Sequence, residues 1–127
     1  MFTVNCHCSA CQKISGAPYV SALRVPVAAL QIRGEVRKAA RHGDSGQVVE
    51  DGFCAECGSR MFSFAASLEA SVGLFATSLD DQSWYRPQFN IYVSRAPHWH
   101  NVDRTLPSFD TVPSPRDVQN LIVRGVN

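Results

Sequence analysis

The sequence predicts a mainly β fold of antiparallel sheets with short helical segments. About seven or eight short runs alternate apolar and polar residues or collect β-branched and aromatic side chains. Glycine and proline clusters separate these runs at short intervals. The strand–helix–strand periodicity that builds a parallel sheet is absent. A twisted sandwich or an open barrel satisfies all three observations.

The elements follow in order. Phe2 and Val4 read as the end of a strand that delivers the next residues to a common point. Cys6–Ile14 forms a turn with a short helix, stopped at Ser15-Gly16-Ala17-Pro18, because proline has no N–H and disfavours helix before it. Tyr19–Val25 alternates as a strand and Pro26 breaks it. Val27–Ile32 is a second apolar run, and Glu35–Arg41 is a third strand. His42-Gly43-Asp44-Ser45-Gly46 is a turn, with Val48–Phe53 returning as the hairpin partner. Arg60–Ala66 and Val72–Thr77 continue the sheet, with Gly73 marking a close backbone approach. Ser78–Gln82 turns into a short helical segment capped by Ser78 or Asp80. Phe89–Val93 is a short strand, residues 94–115 are loop, and Asp117–Val123 is a final helix with Val118, Leu121 and Ile122 on its apolar side.

Size and charge narrow the function. A chain of 127 residues, 45% hydrophobic, forms one domain with a real core. Twelve basic against eleven acidic residues give a formal charge of +1, so no polyanion partner is indicated. Arg33, Arg37, Lys38 and Arg41 cluster, but Glu35 interrupts them, and a solvated strand face accounts for the group. No apolar run approaches the length of a membrane span, and no signal peptide is recognisable. Five cysteines in C-x-C and C-x-x-C spacing suit a reducing compartment, with the cytoplasm as the expected location.

The cysteines carry the chemistry. Cys6, Cys8 and Cys11 lie within six residues. Soft thiolates at this spacing favour zinc, and three ligands leave one tetrahedral position open. His7 alternates with its neighbours and points away from their shared metal. Cys54 and Cys57 admit three readings. They join the trio with one thiol as bystander; they form half of a separate site to which His42, His98 or His100 contributes; or they are a metal-free or redox pair. Asp80 and Asp81 suit a capped turn, and Trp84, Tyr85, Phe89, Tyr92 and Trp99 supply core and pocket wall. His98 and His100 sit two apart in a proline-flanked loop.

These motifs together resemble a known family. Cys6-His7-Cys8-Ser9-Ala10-Cys11-Gln12-Lys13, Gly16-Ala17, Phe53-Cys54-Ala55-Glu56-Cys57-Gly58-Ser59 and Leu79-Asp80-Asp81 are similar to the glutathione-dependent formaldehyde-activating family. That family is also described as S-(hydroxymethyl)glutathione synthase and includes centromere-protein-V-like members. The resemblance implies an Mss4-like fold, with Cys6, Cys8 and Cys11 as the catalytic zinc thiolates. It makes Cys54 and Cys57 two of four structural zinc ligands, and a single domain over 1–127 that lacks the family's N-terminal C-x-C-G strand. Two thiolates alone bind an ion poorly, so a second zinc needs ligands from elsewhere. Asn90-Ile91 stands where relatives often carry His-Ile, and Glu50-Asp51-Gly52 where they often place a basic residue. The implied activity is that of a zinc-dependent carbon–sulfur lyase or synthase on a thiol–aldehyde adduct, with Lys13, His7 or Asp81 assisting proton transfer. Arg24 or Arg95 would hold the substrate's carboxylates. The expected partner is a small thiol such as glutathione, with a homodimer as the candidate assembly. A non-catalytic glutathione-binding or zinc-stabilised interaction protein is the rival reading.

Overall fold

The computed structural model describes residues 1–125, and seven strands form one sheet in the order β3-β4-β5-β6-β2-β1-β7. The strands are β1 (Phe2–Cys6), β2 (Val20–Pro26), β3 (Val36–His42), β4 (Val48–Cys54), β5 (Arg60–Ala65), β6 (Ser71–Phe75) and β7 (Phe89–Ile91). Two α-helices accompany them, α1 (Ser9–Ser15) and α2 (Pro115–Gly125). The mainly β expectation holds.

The expectation of antiparallel sheets needs one correction. β7 runs parallel to β1, pairing Val4 with Phe89 and Cys6 with Ile91, which makes the sheet mixed. No tight turn joins these two strands, and a parallel pair requires such a long connection. Packing fixes the placement. Phe89 is fully buried against Phe2 and Phe109, with ring centroids 5.6 and 6.1 Å away. Thr3 N–H donates to Gln88 Oε1 at 2.9 Å, and Gln88 N–H donates to Thr3 O at 3.1 Å.

Two further expectations are corrected. Val27–Ile32 is not a strand: Val27–Ala29 is a 3₁₀ turn, anchored where Val27 N–H donates to Ala70 O at 3.0 Å. Ser78–Gln82 does not lead into a helix. Asp81 Oδ1 accepts from Ser83 N–H at 2.9 Å, a local bond that competes with helix formation. Ser78 caps nothing, since its hydroxyl donates back to Phe75 O at 2.7 Å. The C-terminal helix forms as expected. Ser114 and Asp117 cap it reciprocally, with Asp117 N–H on Ser114 Oγ at 3.2 Å and Ser114 N–H on Asp117 Oδ2 at 3.3 Å.

A polar core holds β1, β2 and β7 in register. Asn5 and Asn90 are both buried and joined by a 3.1 Å amide–amide bond. Ser21 Oγ donates to Asn5 Oδ1 at 2.8 Å. Asn90 Nδ2 donates to Asp103 O at 2.8 Å and Ser108 Oγ at 3.0 Å, which pins the proline-rich loop against the sheet. Asn90 is therefore a structural residue in this chain.

Gly52 faces Phe62 across the β4–β5 ladder, and a Cβ built on it would lie 2.4 Å from the ring. Phe62 is buried and cannot swing aside. Gly52→Ala is expected to destabilise the fold by about 1–3 kcal/mol, read as a lower urea midpoint at unchanged m-value. An unchanged midpoint would show that the ring has room to move.

Candidate functional site

Cys6 ends β1, Cys8 is the N-cap of α1, and Cys11 lies in the first turn of that helix. The strand-to-helix turn brings the three sulfurs within 4.8 Å of one another. Among the described residues this is the one cluster of three or more His, Cys, Asp or Glu ligand atoms. Cys54 and Cys57 do not join it, and neither His42, His98 nor His100 gathers around that pair.

Local bonds fix the trio. Cys11 N–H donates to Cys8 Sγ at 3.3 Å, so a thiol takes the role of the usual capping oxygen. Bonds from the Cys11 and Cys6 thiols, strengthened by the Cys11 amide and the nearby Arg41 charge, pull the Cys8 thiol far down. Cys11 is driven up in the same exchange, first by its bond to Cys6, then by Cys8 and burial. At Cys6 the bond to Cys11 lowers the thiol, but Cys8 and burial outweigh it and the net shift is upward, to about 12.

Three other segments converge on this turn. Asp44, at the tip of the β3–β4 hairpin, accepts Ser9 N–H at 2.9 Å and Ala10 N–H at 3.3 Å. Arg95, just past β7, donates from Nη1 to Asp44 Oδ2 at 3.2 Å. Gln12 Nε2 donates to His7 O at 2.7 Å and Arg95 O at 2.9 Å. Arg41 is paired with the buried Asp51 at 2.6 Å. Burial works against the Arg41 charge, but Asp51 and then the Cys11 and Cys8 sulfurs outweigh it and raise its pKa.

His7 points away from the sulfurs, as the alternation predicts. It is buried, its Nδ1 lies 3.3 Å from Ile91 O, and it stacks on Tyr19 with His100 closing the group. Of the other expected proton carriers, Lys13 is exposed on the last turn of α1, and Asp81 is exposed and committed to Ser83. Arg24 donates to Ser71 O and Oγ at 3.2 and 2.8 Å, one strand-end away from the trio, and is not a rim residue. Arg95 is the expected rim arginine that does lie beside the cysteines, with its side chain half exposed.

Asp44 and Asn5 are residues around the site that sequence patterning missed, while Tyr92, expected as core or pocket wall, has an unexpected backbone. Tyr92 follows β7 with φ of +54°, rare for a residue with a side chain. Burial raises its hydroxyl, followed by the charges of Cys6 and Cys8. Nothing in the pattern marks a tyrosine for that backbone region, and Asp44 reads only as a turn residue.

The C-x-x-C turn forms as expected, closed by Gly58 N–H on Cys54 O and Cys54 N–H on Ser59 O, both 2.9 Å, with Gly58 at φ +73°. Cys57 is exposed and lies 3.1 Å from Ser59 Oγ, a bond that lowers its thiol, with Cys54 adding to the effect. Between this turn, the end of α1 and the start of β2 lies a cavity of about 810 Å³.

Residues 1–95 match the family described as glutathione-dependent formaldehyde-activating enzyme. The chain belongs to that family. No curated protein matches it. Family membership ties the chain to glutathione- and formaldehyde-related chemistry in general, and the mixed seven-stranded sheet with short helices agrees with the Mss4-like fold. The cysteine trio of this chain is capable in principle of chelating a metal. Zinc–sulfur bonds of about 2.3 Å in a tetrahedron set sulfurs about 3.8 Å apart. Sulfurs within 4.8 Å need only a small inward adjustment to fit. No helix among the described residues is long and apolar enough to cross a membrane.

Asp44 is the tie between hairpin and helix. Asp44→Ala is expected to lower stability by about 1–2 kcal/mol and to speed hydrogen exchange at the Ser9 and Ala10 amides. Unchanged exchange at both amides would mean that the helix start is held by other groups.

Proposed function

We propose that this chain is a zinc-dependent carbon–sulfur lyase or synthase acting on a thiol–aldehyde adduct such as S-(hydroxymethyl)glutathione. The reading rests on one observation above the others: three thiols within 4.8 Å of one another, at the motif of this family. Cys6, Cys8 and Cys11 are the residues that hold the ion. Bound there, zinc supplies a Lewis acid with an open position, which favours the thiolate form of a substrate thiol.

In the synthetic direction the thiol sulfur bonds to the aldehyde carbon. The carbonyl π bond opens, and the thiol proton ends on the new hydroxyl oxygen. The reverse direction breaks the carbon–sulfur bond and returns that proton, so no oxidant or reductant is needed. The chain's own contribution is positional. Asp44 and Arg95 fix the start of α1, and Asn5 and Asn90 fix β1 against β7. His7, stacked on Tyr19 and turned to Ile91 O, holds the residue between Cys6 and Cys8 in place. A reducing compartment such as the cytoplasm keeps the trio available as thiols.

A non-catalytic glutathione-binding or zinc-stabilised protein would use the same trio. A cavity of about 810 Å³ sharing α1 and β2 with it favours a centre that receives a ligand over a closed structural one.

Exchange NMR on a mixture of formaldehyde and glutathione, with and without zinc-loaded protein, tests the reaction. Acceleration of adduct exchange over the uncatalysed rate is expected; none would sink the lyase reading. Cys8→Ala removes one of three ligands and is expected to take zinc content at this site towards zero by elemental analysis. Full occupancy in that variant would show that the ligand set is wrong.

A further inference from the structure

The cavity next to the C-x-x-C turn contains one charged side chain, and among the described residues that side chain has no ion-pair partner. Of the lining residues, only Arg60 is charged, while Tyr19, Ser21, Ser59 and Thr77 contribute hydroxyls. The Arg60 guanidinium lies over the Phe53 ring, 4.8 Å from its centroid. Its Nη1 is buried with no hydrogen-bond partner, and the ion pairs found among the described residues involve Lys38, Arg41 and Arg95 instead.

A buried donor without an acceptor is costly, more so when the group is charged. Arg41 shows how this fold treats such a group elsewhere: it is matched by the buried Asp51 at 2.6 Å. Arg60 has no such match, and no acidic residue lines its cavity to repel an incoming anion. The planar guanidinium fork suits a carboxylate, and the Phe53 ring supports it from one side. A volume of about 810 Å³ is in the range of small-molecule sites.

The cavity also shares α1 and β2 with the turn that carries the cysteines. Its wall includes Val20, the β-ladder partner of Cys6. It includes Ser15, whose hydroxyl donates to Cys11 O at 2.8 Å. A ligand whose sulfur reaches the trio can therefore extend the rest of its length along α1 and β2 towards the C-x-x-C turn.

We propose that Arg60 is the anion receptor of this cavity and holds a carboxylate of the thiol substrate. This rests on the thiol reading given above, and it assigns the specificity of the site to a residue outside the cysteine motifs. Arg60 acts on binding of the substrate's tail and takes no part in the carbon–sulfur step.

The test separates tail recognition from sulfur chemistry by using S-methylglutathione, which has no free thiol, and its dimethyl ester. Calorimetric titration of the purified chain is expected to give the ester roughly 10–100-fold weaker binding than the acid. Arg60→Gln should weaken the acid by a similar factor and leave the ester unchanged, while Arg60→Lys should recover part of the loss. Equal affinity of acid and ester for the unaltered chain would overturn the proposal, and that comparison stands even where a variant folds poorly. No binding of the acid would overturn it as well, as would full affinity for the acid in Arg60→Gln. Adduct exchange is read separately. Arg60-dependent binding without accelerated exchange would reject the lyase reading and keep the receptor. Accelerated exchange with the same KM in Arg60→Gln would do the reverse.

Discussion

The Asp44 carboxylate is the interaction on which the arrangement of this protein turns. It accepts two amides at the start of α1 and an arginine from beyond β7. In the strand order, β3 and β7 stand at opposite ends of the sheet. Six inter-strand steps in a flat sheet would separate them by about 29 Å. A direct bond between the tip of the β3–β4 hairpin and a side chain just past β7 therefore requires the sheet to coil back on itself. The carboxylate also sits where a helix start favours negative charge, since the first amides have no partners inside the helix. One side chain thus couples the curl of the sheet to the turn that gathers the sulfurs.

The trio inherits its geometry from that coupling. β1 delivers Cys6, its register set by antiparallel pairing with β2 and parallel pairing with β7. The buried pair Asn5–Asn90 lies one residue before Cys6 and at its β7 counterpart, so the polar core bonds to the strand end that presents the first sulfur. Fully satisfied buried amides specify one register because any slip leaves them unpaired. The same network accounts for an asparagine at position 90: its amide donates to two groups and accepts from a third.

Much of this was legible in the sequence, for local reasons. Alternation and turn chemistry mark the β3–β4 hairpin, β5 and β6, because those elements are built from neighbours in the chain. The Cys6–Cys11 cluster was legible because all three ligands lie on one turn. What could not be read depends on long-range pairing. The parallel placement of β7 rests on Phe2, Phe89 and Phe109 finding each other across the chain, and no period records that. Asp44 reads as a turn aspartate until the sheet coils, and Ser78–Gln82 reads as a turn into a helix although the Asp81 carboxylate closes an Asx turn. Val27–Ile32 is an apolar run, yet its first three residues form a 3₁₀ turn closed by Leu30 N–H on Val27 O and anchored at Ala70. Composition gives an element's preference, and the available partner decides it.

The two cysteine groups differ in how they are held, and the difference bears on what each can do. The C-x-x-C turn is local. Its backbone bonds run between Cys54, Gly58 and Ser59, and its Cys57 thiol faces solvent. The trio also lies on one turn, but distant segments brace that turn, with Cys8 buried and its neighbours half-buried. A group closed by its own backbone keeps its shape whatever the rest of the fold does. A turn braced by a hairpin tip and a loop responds to both, and such a surrounding shell can tune how its sulfurs are set. The C-x-x-C turn also has a place in the architecture of the cavity. It leads directly into Arg60 at the start of β5, and so sets the far wall of the cavity whose near wall is the helix that carries Cys11.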